Sequence, residues 1–390
     1  MKRFLVVLAA AMLCCSLAKG QEAEDSGRGA GLSIIPRIDA GVLYDGENET
    51  TSFTFGNTSL YTLFEGNISD DWSFSVSNHW VASDYSLGGR PADAIFGPTK
   101  DLYHLNLPGG IGSSVAANAY NFLDWAYITW APGPFEFTFG KQVLLMGGFE
   151  YDDYDFDVNP LMASGLWNTY NCYQWGLTAA YNIGEIGKVS LQGAFNARNT
   201  GLSVALGWSG EYGPYSMKWS VLANPNYNYA DAPWNVLVCL GNRLTFGGLS
   251  ITADYFNAVG DRNYFAEGYQ MLYPSLYGHT VVGSIQYDLE DSWDFGVKGV
   301  MNIADKDHPY GYCNANKAIE IPSGYVTEPD EYYPFDELST VSAGLWASWY
   351  PLGDKSLRVQ ASAGVNSIRE GSGCAYGLFS LTYNFDIKLW

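Results

Sequence analysis

The last thirteen residues, Leu378-Phe-Ser-Leu-Thr-Tyr-Asn-Phe-Asp-Ile-Lys-Leu-Trp390, alternate in polarity. Leu381, Tyr383, Phe385, Ile387 and Leu389 fall on one side of an extended chain, and Ser380, Thr382, Asn384, Asp386 and Lys388 on the other. Successive strand side chains point to opposite faces, so this segment has one apolar and one polar face. The same rhythm recurs along the chain in segments of roughly ten residues separated by turns, the pattern of a strand that meets hydrocarbon on one side and water on the other.

Residues 1–20 have the form of a secretory signal. Lys2 and Arg3 precede the apolar run Phe4 to Leu13, and Ala18-Lys19-Gly20 supplies small residues for cleavage. Beyond it no stretch approaches the length of apolar helix that a membrane crossing requires. Without the signal, the 20 basic residues fall to 17 against 41 acidic ones, and 17 − 41 gives a net charge of −24. That balance excludes nucleic acid as a partner, because phosphate binding needs a basic footprint. The 29 Tyr and 13 Trp suit the aromatic girdles found at membrane interfaces. Of the mature cysteines, Cys313 and Cys374 fall in connections and could pair, and Cys239 falls in mid-strand; no spacing suggests a metal.

A short acidic and glycine-rich leader, residues 21–31, precedes a single barrel domain, residues 32–390. Sixteen strands are expected in that domain, from Leu32–Tyr44 to the final segment. Seven of the linkers are tight turns, at Ser69-Asp70-Asp71-Trp72, Pro132-Gly133-Pro134, Ile183-Gly184-Glu185, Glu211 to Pro214, Phe246 to Gly248, Glu290 to Ser292 and Leu352 to Lys355. Most of the others are long, including Ala82–Asn121, Val143–Cys172, Ala258–Gly278 and Ala304–Leu338. The fold class read from this is all-β: a transmembrane antiparallel β-barrel with short periplasmic turns, long extracellular loops and both ends in the periplasm. The strand Phe122–Ala131 has an ambiguous phase.

Sixteen strands enclose an aqueous channel rather than a side-chain-filled core. The expected inner face carries Arg37, Lys188, Arg198, Lys218, Arg243, Lys298, Arg358 and Lys388 against Asp39, Glu65, Glu136, Asp254, Asp288, Asp294 and Asp386. The wall is thus nearly balanced, and the acid excess sits in the loops, where it would attract cations to the mouth.

The segment Phe139-Gly-Lys-Gln142, followed by Gly147-Gly-Phe-Glu-Tyr-Asp152 and Asp157-Val-Asn-Pro160, resembles the corresponding region of the phosphate-selective porin O/P-like family, in its Bacteroidota form. The resemblance implies a sixteen-stranded, trimeric outer-membrane porin whose loop after the fifth strand folds inward and narrows the barrel. This chain departs from the phosphate channels where they carry arginines and lysines. Its loop presents Glu150, Asp152, Asp153, Asp155 and Asp157, with Lys141 at the base. Carboxylates in that position oppose phosphate entry, so the resemblance carries the channel role and not the phosphate preference. Asp153, Asp155 and Asp157 also offer alternating oxygens to Ca²⁺, but without the sixth-position Gly and twelfth-position Glu of an EF-hand loop. The more economical reading is a loop that lines the constriction.

Nothing in the sequence assembles an enzyme or calls for a cofactor. Ser77 and His79 share a face, but it is the inner one, away from lipid. The expected function is passive diffusion of small hydrophilic solutes or ions through a water-filled outer-membrane barrel narrowed by the loop 143–172. Membrane lipid would surround it and like copies would be its partners. The alternative is a surface adhesin or structural barrel with a loop-blocked pore.

Overall fold

The computed structural model describes residues 29–45, 50–54, 58–81, 123–150, 173–195, 202–225, 234–259, 278–290, 292–304, 313–314, 317–321, 324–328, 331–332, 340–368 and 374–389. The first strand, β1 (Gly29–Asp45), pairs with both Thr50–Thr54 and Ser59–Ser69, which together form one interrupted strand, β2. Next come β3 (Trp72–Val81), β4 (Leu123–Trp130), β5 (Phe135–Val143), β6 (Tyr173–Asn182), β7 (Lys188–Phe195) and β8 (Leu202–Tyr212). They are followed by β9 (Tyr215–Pro225), β10 (Trp234–Phe246), β11 (Leu249–Val259), β12 (Gly278–Leu289), β13 (Trp293–Ala304), β14 (Thr340–Trp349) and β15 (Leu357–Ile368). Cys374–Tyr383 and Phe385–Lys388 form the interrupted β16.

Each strand pairs antiparallel with the next, and β16 pairs with β1, so the eighteen segments of the sheet close into a barrel of 16 strands. Closure leaves no sheet edge. Two short ribbons, Lys317–Ile321 with Gly324–Glu328 and Cys313–Asn314 with Glu331–Tyr332, lie in the β13–β14 connection.

All seven expected turns are present and lie at one end, together with Gly29 and Lys388. Gly213 (φ 60°) and Gly247 (φ 57°) take the left-handed backbone that a two-residue turn imposes. Strand β1 starts at Gly29, inside the stretch expected as leader; Gly31 already pairs with both Glu65 and Lys388. Cys374 is not in a connection but opens β16, opposite Asp45 and Asn366.

The alternation sorts the wall into two surfaces. On β8, Leu206 is 54 % exposed and its neighbour Ala205 only 1 %. Ile38, Leu191, Ile285, Leu345 and Phe379 are similarly exposed on the outside, a surface that water would disfavour by about 1.5–3 kcal/mol per side chain relative to burial. Around the turn end the outward side chains are aromatic and touch across strands, Trp72 with Trp130 at 5.8 Å, Phe135 with Tyr181 at 5.0 Å and Trp293 with Trp349 at 6.2 Å, while Tyr383 meets Phe385 at 4.2 Å along β16. The phase of β4 is settled by its inward groups. Trp125 Nε1 donates to Ser75 Oγ at 2.8 Å, and Thr129 meets Thr138 at 3.1 Å. A register shift against β3 then leaves Asp124 as an extra residue between Trp125 and Leu123.

Candidate channel site

At Val143 the chain leaves β5 and crosses the inner wall. Leu145 N donates to Gln192 Oε1 on β7 at 2.7 Å, and Gln192 Nε2 donates back to Val143 O at 2.9 Å. The Leu145 side chain covers Gly207 on β8. Ser220 Oγ on β9 donates to Met146 O at 2.5 Å, and Gly148 N donates to Lys218 O at 3.0 Å. Asp254 Oδ2 on β11 accepts from both Phe149 N (2.7 Å) and Glu150 N (2.8 Å). Lys298 Nζ on β13 reaches Glu150 Oε1 at 3.0 Å, with both side chains buried.

Glycine makes this traverse possible. Gly148 has φ +77°, and its backbone rests on Gly241 so closely that a Cβ on Gly241 would lie 2.6 Å from Gly148 Cα. A Cβ on Gly148 would lie 2.8 Å from the Phe256 ring.

Beneath the segment the inner wall is apolar. Leu144 and Met146 join Ala194, Ala205, Leu222, Leu237, Cys239, Phe256, Val282 and Val300 in a buried cluster on the inner faces of β7 to β13. Burying Leu144, Met146 and Phe149 contributes roughly 1.5–3 kcal/mol each to holding the segment down. The hydrogen bonds to the Asp254 carboxylate add about 1.5–3 kcal/mol each. The ring of Phe149 is flanked by two cations, Arg243 Cζ at 4.3 Å and Lys218 Nζ at 4.9 Å from its centroid.

Two cavities open between the segment and the turn end. One, about 770 Å³, is bounded by Phe149, Glu150, Arg243, Asp288, Tyr350 and Arg358. The other, about 510 Å³, is bounded by Met146, Glu136, Gln142, Lys188, Gln192 and Lys218. Lys188 pairs with Glu136 at 3.5 Å and Lys355 with Asp288 at 2.6 Å, both half-exposed. In the turn after β14, burial, and then the hydrogen bond from its hydroxyl to Asp294 Oδ2, push the Tyr350 phenol above its ordinary range.

The arc from β14 round to β1 is different in character. A cross-strand row runs Asp294, Ser348, Gln360, Ser380, Asp39. Arg37 Nε pairs with Asp39 Oδ1 at 2.8 Å, and Arg37 Nη2 donates to Ser380 Oγ at 3.2 Å.

Of the residues expected to line the lumen, Arg37, Asp39, Glu136, Lys188, Lys218, Asp254, Lys298 and Arg358 all belong to inner faces, and Glu150 is on the inward segment. Arg198, Asp152, Asp153, Asp155 and Asp157 lie outside the described residues, as does the His79 side chain. Among the described residues no cluster of His, Cys, Asp or Glu is arranged to hold a metal.

One expectation is corrected. Lys141 does not stand at the base of the loop facing the lumen. Its register partners are Ala126 and the outward Trp175, and Gln142, the next residue, takes the inner face. What the sequence reading missed is the apolar seat. Its signal is present: Val236-Leu-Val-Cys-Leu240 is apolar on both faces, as are the inner positions Leu222, Val282 and Val300.

No protein-family description and no curated protein matches the chain. Solved structures do match in fold. OmpF of Salmonella typhi, in a complex with daunomycin, aligns with a TM-score of 0.60 at 12 % identity, covering 94 % of this chain and 100 % of that one. An anion-selective porin from Comamonas acidovorans aligns at 0.58 and 7 % identity, covering 92 % and 100 %. The trimer form of OmpT, an outer membrane protein of Vibrio cholerae, aligns at 0.53 and 11 % identity, again covering 92 % and 100 %. At these identities the likeness is one of fold: this chain is a closed sixteen-stranded barrel similar to those of bacterial outer-membrane porins.

Proposed function

We propose that the chain is an integral outer-membrane porin, exported by its N-terminal signal and not an enzyme, through which small hydrophilic solutes or ions diffuse passively. The observation that carries this reading is the segment 144–150 seated on the inner wall beside two cavities of about 770 and 510 Å³, each many times the volume of a water molecule. A wide barrel with a chain segment fixed across its inner face is a channel with a set constriction. The apolar outer surface and aromatic girdle support membrane insertion. The fold likeness to porins supports the channel role, and the trimer form among the similar structures supports a trimer.

The constriction is formed by the whole loop 143–172, of which Glu150 is the described acidic member. Its solutes pass between acids of the loop and the cations Lys218, Arg243 and Lys298 of the wall, in a transverse field. Most of these charges are already compensated: Glu150 by Lys298, Asp39 by Arg37, Glu136 by Lys188. A compensated lumen with an acidic mouth gives a general channel with a mild preference for cations. The O/P-like resemblance therefore extends to architecture, while the phosphate preference does not follow.

Purified, folded protein inserted in a planar bilayer is expected to conduct in discrete steps. Under a salt gradient its reversal potential is expected to lie slightly on the cation side. Absence of any conductance overturns the channel reading.

A further inference from the structure

The cavity of about 770 Å³ beside the seated segment has a lining that the constriction does not use. Three carboxylates stand on its wall: Asp254 on β11, Asp288 on β12 and Asp294 on β13, the last two in direct cross-strand register. Each has one oxygen engaged. Asp254 Oδ2 takes the Phe149 and Glu150 amides, Asp288 Oδ2 takes the Lys355 ammonium at 2.6 Å, and Asp294 Oδ2 takes the Tyr350 hydroxyl. Each also keeps one oxygen, Oδ1, that is buried and accepts no hydrogen bond among the described residues. Trp346 on β14 lines the same cavity and supplies the complement, a buried indole Nε1–H that donates to nothing among the described residues. Asp254, Asp294 and Trp346 are only 1 %, 7 % and 5 % exposed.

The cations nearby are held by other partners. Arg243 Nε donates to Thr252 Oγ1 at 3.1 Å, Lys298 pairs with Glu150, and Lys355 pairs with the other oxygen of Asp288. Buried polar groups are almost always hydrogen-bonded, so three orphaned acceptors and a donor on one cavity wall call for a ligand that completes them. Such a ligand carries several donors and at least one acceptor. Charge narrows its class further. Among the described residues five acids and four bases line the cavity, a nearly balanced set. An anion would meet the orphaned carboxylate oxygens, and an ammonium would meet the four cations. A neutral molecule with many hydroxyls meets neither obstacle. The rings of Trp346 and Tyr350 add flat apolar surface of the kind on which the C–H face of a sugar ring can rest. The volume also falls within the roughly 300–1,000 Å³ usual for small-molecule sites.

We propose that this cavity is a binding subsite for a neutral polyhydroxylated solute of the mono- or disaccharide class, held by Asp254, Asp288, Asp294 and Trp346. The proposal rests on the channel reading for the solute's route to the cavity, but the binding itself is measurable without conduction.

Titration calorimetry on the full-length protein folded in detergent tests it, with glucose, galactose, mannose, maltose and sucrose as probes. At least one is expected to bind saturably, at one site per chain, in the millimolar range. Trp346→Phe keeps a ring and removes the N–H, and is expected to weaken that binding about five-fold or more, as the loss of one hydrogen bond does. Asp294→Ala is expected to weaken it by a comparable factor. Folded-barrel mobility on unheated gels identifies variants that fold. No saturable binding of any probe overturns the proposal and leaves the orphaned groups to water. Unchanged affinity in the folded variants overturns it as well, because the sugar would then sit elsewhere. Gluconate or glucosamine bound ten-fold more tightly than glucose overturns the neutral assignment. In planar bilayers the binding sugar is expected to reduce ion current saturably, whereas polyethylene glycol of similar size is expected to reduce it in proportion to its concentration. Calorimetric binding without any conductance sustains the subsite and sinks the channel reading; conductance without binding does the reverse.

Discussion

The two halves of the lumen obey different rules. From β14 round to β1 the inner face carries buried polar side chains in cross-strand rows, Ser348, Gln360, Ser380, Asp39 and Arg37, beside the buried Trp346, Tyr376 and Leu378. From β7 to β13 it is apolar at the depth of Leu222, Cys239, Phe256 and Val282, and there the chain after β5 comes in to cover it. An apolar inner face needs a lid for the same reason that an apolar outer face needs lipid. The polar arc is just as buried, but its groups meet one another, as Arg37 meets Asp39 and Ser380. The segment 144–150 is therefore placed by hydrophobic burial on one arc, with hydrogen bonds to Asp254 and from Ser220 fixing its register, rather than by charge alone.

The sharpest way to break this contrast is to lift the lid. Gly148→Val puts a Cβ on a residue at φ +77° and 2.8 Å from the Phe256 ring. The left-handed backbone alone costs about 1–2 kcal/mol, and more for a β-branched residue, with the clash added. The segment is expected to leave its seat, and single-channel conductance to rise about two-fold or more in a barrel that still folds. The same substitution at Gly364, beneath Tyr376 on the polar arc, crowds a wall on which no segment is seated among the described residues. Conductance there is expected to stay the same or fall. Equal rises at both sites would erase the distinction.

Next in size is the buried pair beside the seat. Glu150→Gln leaves the Lys298 ammonium without its 3.0 Å partner in a buried position, a loss of about 3–5 kcal/mol where such pairs are broken. Reversal potentials in a KCl gradient are expected to move toward anions, and Lys298→Met in the same chain to restore them. Lys188→Met, at the half-exposed pair with Glu136, is expected to change the reversal potential far less.

These residues also show how far the sequence alone could lead. The two-residue period placed sixteen strands and assigned faces to all of them except Phe122–Ala131, whose phase stayed ambiguous until the structure gave the inward contacts of Trp125 and Thr129. It assigned Arg37, Asp254 and Lys298 to inner faces and Glu150 to the loop after the fifth strand. It could not show the seat. The run Val236 to Leu240 is apolar on both faces, which identifies a strand covered on both sides without saying what covers it. Lys141 went astray for a related reason. A charge beside a loop is expected to face water, and only the register with Ala126 and Trp175 turns it outward. Asp124 is legible only through a bulge, which alternation cannot anticipate.

The third test removes one anchor without strain. Asp254→Asn keeps the shape but weakens an acceptor that serves two backbone donors, a change of about 1 kcal/mol or more in the seating equilibrium. Open-channel current noise is expected to increase while mean conductance changes little. Ser380→Ala, which removes an acceptor of Arg37 on the polar arc, is expected to leave the noise unchanged.

The smallest effect belongs to the turn that joins β14 to β15, at the foot of the polar arc. Asp354 Oδ1 accepts from Ser356 Oγ at 2.5 Å and Ser356 N at 2.9 Å, and these bonds hold its carboxyl below the usual aspartate range. A depressed folded value favours the ionised form in the barrel over the unfolded chain. The stabilisation is therefore present above the ordinary value of about 3.9 and disappears as the pH falls through the lower folded value. The group is fully exposed, so solvent screens it and the effect is slight. Urea unfolding of the native protein and Asp354→Asn is expected to show a small gap in midpoint at pH 7 that closes on acidification below about pH 3. A gap that persists unchanged into acid would place its cause in the turn backbone rather than in the charge. The polar arc would then owe this corner to chain geometry, as the seated segment owes its position to Gly148.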